Sequence, residues 1–207
     1  MSGFVERLAA QAASLSPAEA LAVALAIAYL VLAIRQNIWC WACAFVSTGL
    51  YIWLFHGAAL FMESALNVFY LVMAVYGWYE WRYGGARHTG LPVTVWPPAR
   101  HGAALAVIAA LTVGSGAWLA ANTGAAFPYL DSLTTWSAVW ATFLVARKVL
   151  ENWVYWFVID ALSVYLYFSR GLPLTALLFC FYLVLIPVGF LSWRKDYART
   201  RDALAAA

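Results

Sequence analysis

Long uncharged runs dominate this chain and leave it few ways to fold. Stretches apolar and long enough to cross a bilayer as helices, roughly 17–25 residues, occur at 17–34, 38–55, 59–81, 102–121, 130–149, 153–169 and 172–193. Turns as short as His56-Gly57 and Arg170-Gly171 join some of them and force antiparallel neighbours. Hydrophobic residues make up 66% of the 207 and charged residues 10%, against about 45–50% and about 25% in a soluble domain. No globular core of this size hides so much apolar side chain, so lipid must be the solvent for most of the surface. The expected fold is an all-α polytopic membrane protein of seven transmembrane helices, residues 1–207 forming a single membrane domain.

Other features fit that setting. The segment before Pro17 contains Glu6 and Arg7 and lacks the pattern of a cleavable signal. Cys40 and Cys43 form a CxxC inside a Trp-rich apolar run with no βαβ context, so they and Cys180 are read as core-packing residues. Basic residues fall mostly on one side of the predicted spans: Arg35, Arg82, Arg87, Arg100, Arg147, Lys148, Arg194, Lys195, Arg199 and Arg201, against Arg7 and Arg170. Basic loops stay cytoplasmic, which predicts the N-terminus outside and the C-terminus inside. The segment 82–101, rich in Gly, Pro and Arg, reads as a surface loop.

The chain also echoes itself. Asn37 and Trp41 recur as Asn152 and Trp156, an offset of 115 in residue number, and Tyr51 and Gly57 recur as Tyr165 and Gly171 at 114. Tyr70, Gly77 and Trp81 recur as Tyr182, Gly189 and Trp193 at 112. Two three-helix bundles, 17–81 and 130–193, joined by a connector helix at 102–121, form a 3+1+3 pattern of parallel repeats. Such repeats, related by an axis along the membrane normal, are an architecture of transporters.

Polar groups at bilayer depth are costly, roughly 2.5–3.5 kcal/mol for a central Asp on insertion scales, and point to function. Glu63 and Asp160 fall well inside predicted spans, whereas Asp131 and Glu151 lie near helix ends and are read as snorkelling to the interface. Trp153, Trp156 and Asp160 share one helical face at i, i+3, i+7, as do Glu63, Asn67 and Tyr70 at i, i+4, i+7. Asn37 and Trp41 make an i, i+4 pair. These eight are the candidate substrate-binding residues. Aromatic faces attract cations and a carboxylate adds the opposite charge, so a cavity of this kind suits a flat cationic aromatic solute.

Aromatic belts at the two interfaces account for most of the 12 Trp residues, among them Trp78, Trp81, Trp96 and Trp193. Glu63 and Asn67 also have a bland reading, as hydrogen bonds between helices. His56, His88 and His101 fall in predicted loops, unlike the paired helical histidines of a membrane metalloprotease. No GxSxG, P-loop or dinucleotide fingerprint is present, and nothing points to a nucleic acid, metal or cofactor.

The segments WVYW at 153–156, followed by Asp160, Tyr165 and Gly171, and ESALNVFYLVMAVYGWYEW at 63–81 resemble the bacterial nicotinamide riboside transporter family called PnuC. The resemblance runs from about 20 to 195, and Trp153 and Trp156 match its WxxW. It implies a SWEET-like seven-helix fold, a homotrimer in the bacterial inner membrane, and uptake by facilitated diffusion. A cytosolic kinase then traps the solute, which feeds NAD synthesis. The site implied is Trp153 and Trp156 with Asn67, Tyr70 and Asp160, and nicotinamide riboside carries a pyridinium cation.

Competing readings stay open at this point. Thiamine is also a cationic heteroaromatic, and members similar to this family are associated with thiamine or riboflavin. A proton-coupled carrier would use a buried carboxylate. An enzyme with Glu63 and Asp160 as acid and base lacks any nucleophile or metal cluster beside them.

Overall fold

Prolines and short polar turns punctuate the apolar runs, and the helices begin and end at them. The computed structural model describes residues 2–57, 61–85, 88–169 and 171–205. Its helices are α1 (Ser2–Ser14), α2 (Pro17–Ile34), α3 (Trp39–Gly57), α4 (Phe61–Tyr83), α5 (Pro98–Asn122), α6 (Pro128–Ala146), α7 (Asn152–Ser169) and α8 (Pro173–Ala205). Pro17, Pro98, Pro128 and Pro173 each occupy the first helical position, where a missing N–H costs nothing. Ser16 caps α2 in a reciprocal box: its hydroxyl accepts from the Glu19 N–H at 3.2 Å, and its own N–H donates to Glu19 Oε2 at 2.7 Å.

Several expectations shift. α1 is an additional helix before the first predicted span, and α8 continues beyond the last one to Ala205. The surface loop shortens because α5 starts at Pro98, so Arg100 and His101 lie in a helical first turn. His56 lies within α3 rather than in a loop. Among the described residues, three helices are long and apolar enough to cross a membrane by length and composition: Pro17–Ile34, Pro98–Asn122 and Pro173–Ala203. The other helices carry more polar and aromatic side chains, which lowers their hydropathy; on α6 and α7 these include Thr134, Thr142, Asn152 and Asp160.

Helix contacts close a ring. α2 packs on α3, α3 on α4, α4 on α6, α6 on α7, α7 on α8, and α8 back on α2. The α5 helix packs on α6 outside this ring, and α1 packs on α8. Among the described residues the only bridge of β type joins Thr94 to Val149, tying the segment before α5 to the turn between α6 and α7.

Equivalent contacts recur across the ring at one constant offset in residue number, the 112 that separates Gln36 from Lys148. The α2–α3 turn passes through Gln36 at φ 52°, and the α6–α7 turn through Lys148 at φ 50°. Each is a Schellman turn: Gln36 N–H donates to Ala33 O and Asn37 N–H to Leu32 O, while Lys148 N–H donates to Val145 O and Val149 N–H to Leu144 O. Gly77 lies against the indole of Trp41 as Gly189 lies against that of Trp153. The partner of Trp41 is therefore Trp153, not Trp156, and the echo at 115 is three residues out of register. Asn37 aligns with Val149, not Asn152.

The belt reading fails for two tryptophans. Trp81 is 6% exposed and Trp193 is fully buried, each with its indole N–H on a backbone carbonyl, Val145 O at 3.1 Å and Ala33 O at 3.0 Å. Cys40 is buried as expected, but Cys180 is exposed and packs no core. Glu151 does not simply snorkel either: Trp96 N–H donates to its Oε2 at 3.4 Å, and His101 lies 3.9 Å away.

Candidate functional site

A cavity of about 430 Å³ lies within the helix ring, a size usual for a small-molecule site. The longest continuous wall is α7, where Asn152, Trp153, Trp156, Asp160, Ser163 and Tyr167 fall on one helical stripe. Thr134, Thr135 and Thr142 of α6 face it, with Tyr29 of α2, Trp41, Ser47 and Thr48 of α3, Tyr70 of α4, and Phe179 and Tyr182 of α8.

Hydroxyl groups along the walls are partly spent on the helices. Ser47 Oγ donates to Ala22 O at 2.8 Å, and Thr142 Oγ1 to Ala138 O at 2.8 Å. Other lining groups are not spent. Among the described residues, the indole N–H groups of Trp41 and Trp153 and the Oδ1 of Asn152 are buried without a hydrogen-bond partner. Asn152 is held through its other end, Nδ2 donating to Val149 O at 2.7 Å. Buried polar atoms left unpaired cost about 1–3 kcal/mol each, so two donors and one acceptor among the lining residues stay unmet in this conformation.

Asp160 is 3% exposed, and no ion pair among the described residues includes it. No Lys, Arg or His among the described residues lines the cavity. The cavity is thus an aromatic box with a carboxylate on its wall.

The structure brings together Trp41, Tyr70, Trp153, Trp156 and Asp160 of the predicted residues. Asn37 is excluded: it is exposed, and its Oδ1 accepts from Trp39 N–H at 3.0 Å to shape the turn before α3. Asn67 is half-buried on α4 and does not line the cavity. The Glu63 side chain lies outside those described. Asn152 was legible only as an echo of Asn37; its place on the Trp156–Asp160 stripe, four and eight residues before them, was the available signal.

The two walls related by the repeat are unequal. Asn152, Trp156 and Asp160 on α7 correspond to Cys40, Ala44 and Thr48 on α3. The amide, the carboxyl and the second tryptophan of the α7 stripe thus have no counterpart of the same chemistry on α3. A second cavity of about 580 Å³ opens between α5, α6 and α7, with mostly aliphatic walls and a polar end at His101, Glu151 and Tyr155. It has neither the stacked aromatic faces nor the isolated acid of the first.

Residues 16–195 match the family described as nicotinamide mononucleotide transporter. The chain is 26% identical over 169 residues to the riboflavin/roseoflavin transporter RibM of Streptomyces davaonensis, covering 79% of this chain and 78% of that protein. The crystal structure of the vitamin B3 transporter PnuC has the same fold, with a TM-score of 0.70 at 22% identity over 95% of this chain and 90% of that one. A match over so much of the sequence, with apolar helices around a solute-sized cavity, is decisive: this chain is a membrane transporter rather than an enzyme, and it belongs to the nicotinamide mononucleotide transporter family.

Proposed function

We propose that the chain carries nicotinamide riboside by facilitated diffusion across the bacterial inner membrane. The observation that carries this is Asp160, a buried acid in a cavity whose described walls hold Trp153, Trp156 and no cation. An aromatic box with a carboxylate favours a pyridinium ring. A mononucleotide fits poorly, because a phosphate dianion finds no Lys, Arg or His on the described walls. The solute is a nucleoside on this reading.

In this reading 17–81 and 130–193 are two three-helix bundles in a SWEET-like 3+1+3 arrangement, with α5 as the connector. They tilt about the midplane site. Charge bias puts the N-terminus outside and the arginine-rich end in the cytoplasm. The working unit is a homotrimer, and a cytosolic kinase traps the product. A riboflavin carrier is the second reading, favoured by the likeness to RibM; a neutral isoalloxazine would use the aromatic walls but not the charge of Asp160.

Titrating purified protein with nicotinamide riboside, its mononucleotide, thiamine and riboflavin tests this. Tightest binding of nicotinamide riboside is expected. Tightest binding of riboflavin or thiamine would reassign the vitamin, and tightest binding of the mononucleotide would overturn the electrostatic argument. Trp156→Ala is expected to weaken binding by about 1–3 kcal/mol, the range for ring stacking on an aromatic side chain. Unchanged affinity would place the solute elsewhere.

A further inference from the structure

Two tryptophans join the halves of the ring by the same contact made twice. Trp81 at the end of α4 donates its indole N–H to Val145 O at the end of α6. Trp193, the repeat equivalent of Trp81, donates to Ala33 O at the end of α2, and Ala33 is the repeat equivalent of Val145. Each bond thus crosses one of the two interfaces, α4 with α6 and α8 with α2, where the first half of the ring meets the second.

The rings themselves form a continuous chain. Trp41 meets Trp81 edge-on at 5.5 Å and 87°, Trp81 meets Trp193 at 5.9 Å and 60°, and Trp193 meets Trp153 at 5.5 Å and 90°. The outer two line the cavity, and the inner two cross between the halves. Polar ties flank them at the same end. Arg147 pairs with Glu80 at 2.8 Å, Gln36 Nε2 donates to Asp196 Oδ2 at 2.6 Å, and Ser192 Oγ donates to Ile34 O at 3.2 Å. The Lys148 ammonium lies 4.6 Å from the Trp81 ring centre.

We infer that Trp81 and Trp193 form the gate at the arginine-rich end of the cavity, closed here, and that solute passes there only when both indole bonds break. This rests on the transport reading of the cavity. Because one bond lies at each interface where the halves meet, a tilt of one half against the other must strain at least one of them. These bonds are also suited to breaking. Ala33 O keeps the N–H of Gln36 and Val145 O keeps that of Lys148, both at 3.0 Å, so each acceptor stays partnered when the gate opens. The freed indole N–H meets entering water. What is given up is close to the small net value of a hydrogen bond, so the closed state is favoured but escapable.

Cys40, fully buried beside Trp41, is a native probe of this end. In a Cys43→Ser, Cys180→Ser background, Cys40 is labelled with a membrane-impermeant maleimide applied separately to each face of oriented vesicles. Trp81→Phe and Trp193→Phe keep an aromatic side chain but remove the donor and part of the plug. Each is expected to raise labelling from the arginine-rich face about fivefold, and the pair more than tenfold, with the other face unchanged. Unchanged labelling in the double variant, or an equal rise from both faces, would overturn the gate. Ser192→Ala, which removes only a flanking tie, should give a smaller rise from the same face. Failure of the parent protein to bind nicotinamide riboside would sink the proposed solute and leave this labelling result standing.

Discussion

Asp160→Asn is expected to lower affinity for nicotinamide riboside by about tenfold to a hundredfold while leaving riboflavin nearly unchanged. Asp160 is 3% exposed, and its carboxyl is the only acidic or basic side chain among the described residues of the cavity wall; a cationic solute beside it favours the ionised form. A unit charge about 5 Å away is worth roughly 3 kcal/mol at an effective dielectric of 20. Part of that is lost to stripping water from the solute, which leaves on the order of 1.5–3 kcal/mol. Asparagine has almost the same shape, so packing is retained and the difference reports charge. Calorimetric titration of both vitamins against parent and variant separates the cases. Equal loss for the two solutes would mean that Asp160 holds helices together instead of reading charge. No loss for either would remove it from the site. Thiamine, a cation, should follow nicotinamide riboside in this variant, so it is told apart by the parent titration.

The helices were legible because long apolar runs admit few alternatives, whereas the prolines that open α5 and α6, Pro98 and Pro128, were passed over and the starts placed at 102 and 130. The α7 stripe was legible for the same reason: spacing on a single helix fixes which residues share a face. What escaped was everything that depends on how two helices register. The echo of Asn37-x3-Trp41 in Asn152-x3-Trp156 is good as a string, yet the Schellman turns at Gln36 and Lys148 set the true offset between the halves. That moves Asn37 out of the cavity and puts Asn152 into it. Trp81 and Trp193 escaped because a tryptophan beside an arginine near a span end reads as a belt residue. Only the fold reveals that their N–H groups point inward to carbonyls of the opposite half. Asn67 shares a helical face with Tyr70, but the cavity touches α4 at Leu66 and Tyr70.

Gly189→Ala should damage both stability and transport, and Gly77→Ala mainly stability. At each position a methyl group would overlap the six-membered ring of an indole, Trp153 in one case and Trp41 in the other. Each ring can give way only toward the cavity it lines. Trp153 is 3% exposed and set edge-on against Trp193, and Trp41 is 2% exposed and set edge-on against Trp81. Overpacking of this kind costs about 1–3 kcal/mol, enough to lower the unfolding midpoint by several degrees. Gly49→Ala is the control, because nothing lies within 4 Å of the added methyl. There the better helix propensity of alanine should leave stability equal or higher, by up to about 1 kcal/mol. The two damaged variants part company at the cavity. A displaced Trp153 shifts the ring that stands beside Asn152 and Trp156, so binding should fall about tenfold or more. A displaced Trp41 has Cys40 and Ala44 at the matching places, so binding should fall less for the same loss of midpoint. Thermal unfolding with parallel titration reads both quantities. Equal losses of affinity would mean that the two walls hold the solute alike, against the asymmetry that puts recognition on α7.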